Sequence, residues 1–403
     1  AEYMGNVLFT EPSFRSMSVE METHKIFPAS PKPQLSLPLT IFDVKWLIFP
    51  PTQRIFCYES AGLSSNHFNE CILHKLKRSL SLTLDHFYVV AGHIIWPSDS
   101  PRPLLSYTPN DAVSLAVAHS PHPELFTTLI ADDAVEASLA RGCVPELRSS
   151  GDRAQVIALK VTLFPNLGFA VGIACHHGFI DGFSFSMFMN AWSFLCHRLS
   201  SSDSDTSPSL PPSLVPHLER PELDDPEGIY EQILERSTSS NPRSVQLPPS
   251  PVLDPSLVRR KFMFSRTDSD NLRKRVINRY PNEEGMHLSR LVLVYSLAIA
   301  CRARAKNFKN VVYVIVPGNY RARLGLQMAG HYLGNCDIGL ARMIEAEAVK
   351  SEGVAMVAKC VGDIVKDLKV KTPYEALKTT YLSGKFGGPV HIIGLSGSPR
   401  FGL

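Results

Sequence analysis

The chain has 403 residues, 44% of them hydrophobic and 20% charged, with a formal net charge of +3 when its 14 histidines are counted neutral. That length exceeds one ordinary domain, so two folded units are expected, and the composition is that of a globular enzyme rather than a disordered chain. The near-even charge balance excludes a nucleic-acid binder that works by bulk charge, although local basic clusters could still hold a small polyanion.

Residues 1–36 are rich in Pro, Ser and charge and predict a strand or two within irregular chain. The start, AEYMGNVLFTEPSF, lacks a charged segment followed by an apolar one, so no secretory leader is expected. Residues 37–43 (LPLTIFD) lead into Trp46-Leu47-Ile48-Phe49, a buried-type segment stopped by Pro50-Pro51, and residues 55–58 read as a core strand. Apolar residues then recur at Ile72, Leu73, Leu76, Leu80, Leu84 and Phe87, with Lys75, Lys77 and Arg78 between them. This is helical spacing, closed by Ala91-Gly92. Residues 155–174 predict two strands joined by a turn at Pro165-Asn166 and Gly168, ending at Cys175-His176-His177. An apolar helix is expected over 183–199.

Residues 200–256 change character. Their Ser- and Pro-rich runs are poor in apolar residues and read as a long surface crossover. A strand is predicted at 260–264, a charged helix at about 267–280, an apolar helix at 288–303 and a central strand at 311–316. The division expected is therefore 1–200, a crossover at 201–256, and 257–403. The eight cysteines are scattered without a C-x-x-C pair, which fits reduced thiols in the cytosol. No apolar run approaches the ~20 residues needed to span a bilayer, so no membrane partner is expected.

Chemistry concentrates in His176-His177-Gly178-Phe179-Ile180-Asp181-Gly182, between a strand and a helix. A side chain at a strand end can reach a cleft. Neutral imidazole, with a reference pKa of ~6.5, is a natural base for a hydroxyl near neutral pH. Taken alone the pattern is weak, because a histidine beside an apolar strand is more often a hydrogen-bonded core residue. A metal site on His176, His177 and Asp181 would need a further ligand, and none stands nearby in sequence.

The seven residues, followed by FSFSMFMNAW, resemble the His-x-x-x-Asp-Gly motif of the BAHD acyltransferases, plant enzymes that move acyl groups from coenzyme A. LPLTIFDVKWLIFPP, LKRSLSLTLDHFYVVAGHI, VTLFPNLGFAVGIACHH, NYRARL, HYLGNC and GLSGSPRFGL are similar to further family blocks and fall in family order. HYLGNC resembles the Tyr-Phe-Gly-Asn-Cys signature of the branch acting on flavonoid and anthocyanin glycosides.

The resemblance implies an α/β fold of two chloramphenicol-acetyltransferase-like domains, mixed sheets with helices, with the two substrates entering between them. It casts His177 as general base and Asp181 as a catalytic-loop residue paired with an arginine, for which Arg321 is the candidate. Gly182 matches the glycine that lets the loop turn. Asn319 stands where the family usually has Asp. For coenzyme A the matching positions are Ser265, Arg266, Ser289, Ser396 and Gly397, whose competing reading is as helix caps and turn residues. Asn335-Cys336 is expected to be a packing motif rather than a thiol nucleophile. No metal or resident cofactor is implied; the acyl-CoA thioester is a co-substrate.

The expected activity is transfer of a malonyl or hydroxycinnamoyl group to a hydroxyl of a phenolic or flavonoid glucoside. The expected enzyme is a cytoplasmic monomer whose partners are small molecules. One alternative is hydroxycinnamoyl transfer to a shikimate- or polyamine-type acceptor. The family's Asp-Phe-Gly-Trp-Gly signature normally follows SGSPRF, and the sequence ends at Phe401-Gly402-Leu403 before it. The other alternative is therefore a shortened form that binds coenzyme A without turnover.

Overall fold

The structure, a computed structural model, describes residues 19–131, 135–201, 208–225, 227–238, 243–249, 257–283, 285–324, 329–382 and 390–394. In chain order its principal strands are β1 (Val19–Ile26), β2 (Leu35–Pro38), β3 (Thr52–Glu59), β4 (His93–Ile95), β5 (Leu104–Tyr107) and β6 (Val113–His119). They continue with β7 (Arg153–Gln155), β8 (Ile157–Phe164), β9 (Gly168–Cys175), β10 (Val311–Asn319), β11 (Asp337–Glu345) and β12 (Val390–Gly394). The helices used below are α1 (Ile41–Val44), α2 (His74–Phe87), α3 (Gly182–Ser201), α4 (Ile229–Thr238), α5 (Arg266–Arg279), α6 (Arg290–Ala305) and α7 (Val354–Val370).

A five-stranded sheet in the order β1-β6-β8-β9-β3 carries the site. Strands β8 (IALKVTLF) and β9 (GFAVGIAC) are nearly continuous apolar runs and lie inside the sheet, buried on both faces. They form the predicted antiparallel hairpin, Gly168 facing Phe164 and Cys175 facing Ile157. The turn needs left-handed backbone at Asn166, with φ 65°. Gly168 has φ 148°, and a Cβ there would come within 2.1 Å of the Tyr58 carbonyl oxygen. Among the described residues strand β3 pairs only with β9, so the expected core strand is the sheet's outer one, and Tyr58 is 45% exposed. A smaller sheet, β2-β5-β4-β7, stands beside it.

After the crossover, β10 lies between β11 and β12, antiparallel to the first and parallel to the second. This is the central position its apolar run predicts. Helices α5, α6 and α7 pack against one another, and α7 also packs on β10 and β11. Helix α2 packs on α3, whose length matches the predicted apolar helix.

Two expectations are corrected. The crossover is not merely a surface strap. Helix α4 places Ile229, Tyr230, Ile233 and Leu234 on one buried face, and Leu210, Val245 and Leu247 are buried too. Sparse apolar residues were enough because each falls at helical spacing or beneath a neighbour; Tyr230 donates its hydroxyl hydrogen to the Leu39 carbonyl at 3.2 Å. The predicted strand at 260–264 is also absent. The short strand is Val258–Arg259, which pairs with Val135–Glu136, and Phe262 and Met263 lie 83% and 93% exposed. Among the described residues no strand offers 260–264 a ladder. One apolar cluster runs from Ile26 to Ile393 and takes in residues of all three larger sheets.

Candidate active site

Strand β9 ends at Cys175, and the chain turns sharply before α3 begins at Gly182. His176 anchors that turn. Its main-chain N–H donates to the Val156 carbonyl at 2.8 Å, and its carbonyl accepts from the N–H groups of Phe179 and Ile180. Its ring is buried, and Nδ1 accepts from the Gly178 N–H at 3.0 Å, so Nε2 carries the hydrogen. Burial and the adjacent His177 push the His176 ring down to about 3. It is a neutral structural histidine. A Cβ on Gly178 would stand 2.9 Å from that ring, which accounts for the glycine there.

Gly182 takes ordinary helical backbone as the first residue of α3, and its φ is not positive.

Asp181 caps α3: its Oδ1 accepts from the Ser184 N–H at 2.8 Å. Arg321, in the short helical turn after β10, grips the same carboxylate in a two-pronged pair. Nη1 donates to Oδ2 at 2.8 Å and Nη2 to Oδ1 at 2.9 Å, with the side chains 4% and 5% exposed. The Cys336 N–H adds a fourth donor at 3.1 Å. Burial opposes ionisation of Asp181, but the guanidinium and these N–H donors outweigh it and hold the carboxyl below its ordinary range. Arg321 also donates to the Ser184 hydroxyl at 2.9 Å and to the carbonyls of Tyr332 and Gly334, so its donors are used. Asn319 Oδ1 accepts from the Arg321 N–H at 3.0 Å, a hydrogen bond that a carboxylate at this position could equally accept. Asp181 thus faces a structural arginine, 140 residues away in sequence.

His177 is partly exposed, and among the described residues its Nδ1 is buried without a hydrogen-bond partner. Its carbonyl accepts from the Asn335 side-chain N–H at 2.7 Å. Asn335, fully buried, also donates through the same Nδ2 to Asp43 Oδ1 at 3.0 Å. Asp43 in α1 receives the Thr40 N–H and hydroxyl and forms an ion pair with Arg220 of the crossover. Burial pushes the Asp43 carboxyl up, and Arg220 and the Thr40 and Asn335 donors oppose it. The imidazole ring itself lies on the indole of Trp46, with centroids 4.1 Å apart and planes 16° apart.

The structure therefore brings His177, Asp181 and Arg321 together. Ser265 and Ser289 lie elsewhere, as N-caps of α5 and α6. The Ser265 hydroxyl is engaged with Asp268 in a capping box, and Arg266 beside it is exposed. Ser289 accepts from the Val292 N–H at 3.4 Å, and the first turn of α6 carries no acidic residue. Ser396 and Gly397 lie outside the described residues. Cys336 is buried and its thiol is pushed up to about 12, which suits packing and not nucleophilic attack. Among the described residues no group of three or more His, Cys, Asp or Glu side chains could hold a metal ion, and no helix is long and apolar enough to cross a membrane.

Sequence reasoning missed Trp46 and Arg220 as parts of this centre. Trp46 and Asp43 lie within the LPLTIFDVKW block, whereas Arg220 sits in a Ser/Pro-rich run with no local signal.

A model of the transferase family described as "Transferase family" matches residues 17–382. Phenolic glucoside malonyltransferase 2 from Arabidopsis thaliana is 33% identical over 357 residues, covering 86% of this chain and 76% of the relative. The chain belongs to this family, the BAHD acyltransferases. A second Arabidopsis thaliana relative, malonyl-CoA:anthocyanidin 5-O-glucoside-6''-O-malonyltransferase, is 33% identical over 348 residues, covering 85% of this chain and 74% of the relative. The crystal structure of vinorine synthase shares the fold, with a TM-score of 0.61 at 20% identity over 94% of this chain and 82% of that one. This BAHD chain is thus an enzyme of the acyltransferase class, with the mixed α/β chloramphenicol-acetyltransferase-like fold. Its family draws the acyl group from a coenzyme A thioester, a co-substrate and not a resident cofactor.

Proposed function

We propose that this enzyme transfers an acyl group, malonyl or hydroxycinnamoyl, from its coenzyme A thioester to a hydroxyl of a phenolic or flavonoid glucoside, with His177 as general base. The observation that carries this reading is His177 on a loop clamped by the buried Asp181–Arg321 pair, with one ring nitrogen buried. With Nδ1 enclosed, Nε2 is the nitrogen left to meet an acceptor. It takes the hydroxyl proton as the acceptor oxygen bonds to the thioester carbonyl carbon. The tetrahedral intermediate then breaks its C–S bond, and the proton passes from Nε2 to the departing sulfur. The glucoside class is supported by the named activities of the two Arabidopsis relatives.

Residues 1–200 and 257–403 form the two units and 201–256 the crossover. Ser289 is a better-suited phosphate contact than Ser265, because Asp268 already occupies the N-terminus of α5 while α6 has no acid in its first turn, and the exposed Arg266 side chain supplies a positive charge. Ser265, Ser396 and Gly397 complete the set that the family resemblance assigns to coenzyme A. The enzyme acts as a cytoplasmic monomer on small molecules.

The test is thiol release by purified protein given malonyl-CoA or a hydroxycinnamoyl-CoA with a phenolic glucoside, with agmatine and shikimate as competing acceptors. His177→Ala should lower kcat by at least about 100-fold with an unchanged melting temperature. Wild-type turnover in that variant would remove the ring from the chemistry, and preference for agmatine or shikimate would replace the glucoside acceptor.

A further inference from the structure

A catalytic imidazole usually has its ring plane set by a hydrogen bond to the nitrogen that does not react. Here that nitrogen, His177 Nδ1, has no hydrogen-bond partner among the described residues. The main chain of the residue is held by Asn335, but a grip on the carbonyl leaves the side-chain torsions open. What covers the ring is aromatic. The Trp46 indole lies 4.1 Å from it at 16°, and Phe49 meets it edge-on at 5.9 Å and 84°. Phe49 also abuts the indole edge-on at 4.9 Å, so the three rings form one cluster.

The indole is itself tethered by a residue 291 positions away in sequence. Its Nε1–H donates to Asp337 Oδ1 at 3.3 Å, at the first residue of β11. The Lys45 ammonium lies 5.0 Å from the indole centroid. Lys45 is almost fully enclosed; it donates to the Asp337 carbonyl and pairs with the Asp337 carboxylate at 3.6 Å. Burial pushes this lysine down, and Asp337, with smaller help from Cys336, Asp181 and Asp43, opposes it. A buried lysine needs such a partner to stay charged. Asp337 therefore fixes both neighbours: the lysine next to the indole and the indole against the imidazole.

We propose that Trp46 is a positioning residue for the transfer reaction: its indole, anchored through Asp337, sets the ring plane of His177 where other enzymes use a hydrogen bond. The inference rests on the reading of His177 as the base. Misplacing a reacting group by about 1 Å can cost about 100-fold in rate, so loss of the stack falls on kcat while acyl-CoA binding is untouched.

The experiment compares kcat, KM for acyl-CoA and melting temperature for Trp46→Leu, Trp46→Phe, Asp337→Ala and His177→Ala in the full chain. Trp46→Leu should lower kcat by about 10- to 100-fold with KM within about twofold. Trp46→Phe, which keeps a flat ring without the N–H, should recover part of that loss, and Asp337→Ala, which removes the acceptor of that N–H, should lower kcat several-fold at unchanged KM. A folded Trp46→Leu protein with wild-type kcat overturns the proposal. So do equal kcat losses in the Leu and Phe variants that track a fall in melting temperature, since that pattern is structural. Should Trp46→Leu not fold, Asp337→Ala decides: an unchanged kcat counts against positioning. Full turnover in His177→Ala would instead sink the base assignment, leaving a separate result for each idea.

Discussion

Two neighbouring histidines in one turn have opposite fates because of what their ring nitrogens meet. His176 is enclosed, accepts from the Gly178 N–H and is pushed down to about 3 from 6.5, whereas His177 stays partly exposed. A base whose folded pKa is depressed binds fewer protons in the native state than in the unfolded one below pH 6.5. His176 therefore leaves stability intact above about pH 6.5, and stability declines as pH falls from there toward 3, with a slope of up to about 1.4 kcal/mol per pH unit. The Asp181 carboxyl, held below 3.8, adds stability that is lost only at still lower pH, as it protonates. Urea melts between pH 7 and 5 should show this decline in the wild type and a shallower one in His176→Asn; equal slopes would mean another group carries it.

At Asp181 the balance is different, because a charged partner is left behind when it is removed. Asp181→Ala strands the Arg321 guanidinium in the interior and should cost about 3–5 kcal/mol by urea melt. Turnover would fall with it, as the loop loses its cap and its clamp. An alanine variant as stable as the wild type yet inactive would instead give the carboxylate a direct part in the chemistry.

At the scale of elements, α1, the crossover and the 332–336 segment meet at Asp43. Arg220 pairs with that carboxylate, donates to the Pro38 carbonyl at 3.2 Å and lies 5.5 Å from the ring centroids of Phe179 and Tyr332. A chain that reads as a solvated strap is thereby stitched into the site's floor. Arg220→Met should destabilise by about 3–5 kcal/mol, because a buried carboxylate loses its counter-charge. Asp43→Asn in the same chain should return part of that loss, giving a coupling energy of about 0.5–3 kcal/mol in a double-mutant cycle. Additive losses would show that the pair contributes only through its separate hydrogen bonds.

Legibility follows from how local each feature is. The hairpin β8–β9, helix α3 and the His177–Asp181 loop lie within 45 consecutive residues, 157–201, and carry their own period, turn residues and chemistry. Arg321 was reachable only through resemblance, since nothing periodic links it to a carboxylate 140 positions earlier. Arg220 to Asp43 spans 177 positions and Trp46 to Asp337 spans 291, and in both cases one unremarkable residue does the work. The strand expected at 260–264 failed for the opposite reason: a local strand pattern means little without a neighbouring ladder.

On the scale of the whole molecule, three sets of contacts at the site are among those that tie the segment before the crossover to the segment after it. They are Asp181 with Arg321, Asn335 with Asp43 and the His177 carbonyl, and Lys45 and Trp46 with Asp337. All involve buried polar groups, and the apolar cluster around them is continuous. Parting the two segments would leave charges and amide groups without partners before any chain entropy was gained, which disfavours a half-melted state. Thermal unfolding should therefore be one transition, with far-UV circular dichroism and tryptophan fluorescence coinciding and the calorimetric enthalpy equal to the van't Hoff value. Asp181→Ala should move that single transition to lower temperature without splitting it. Two resolved transitions in the wild type would mean that the segments fold independently and that these ties act on geometry at the site rather than on cohesion of the fold.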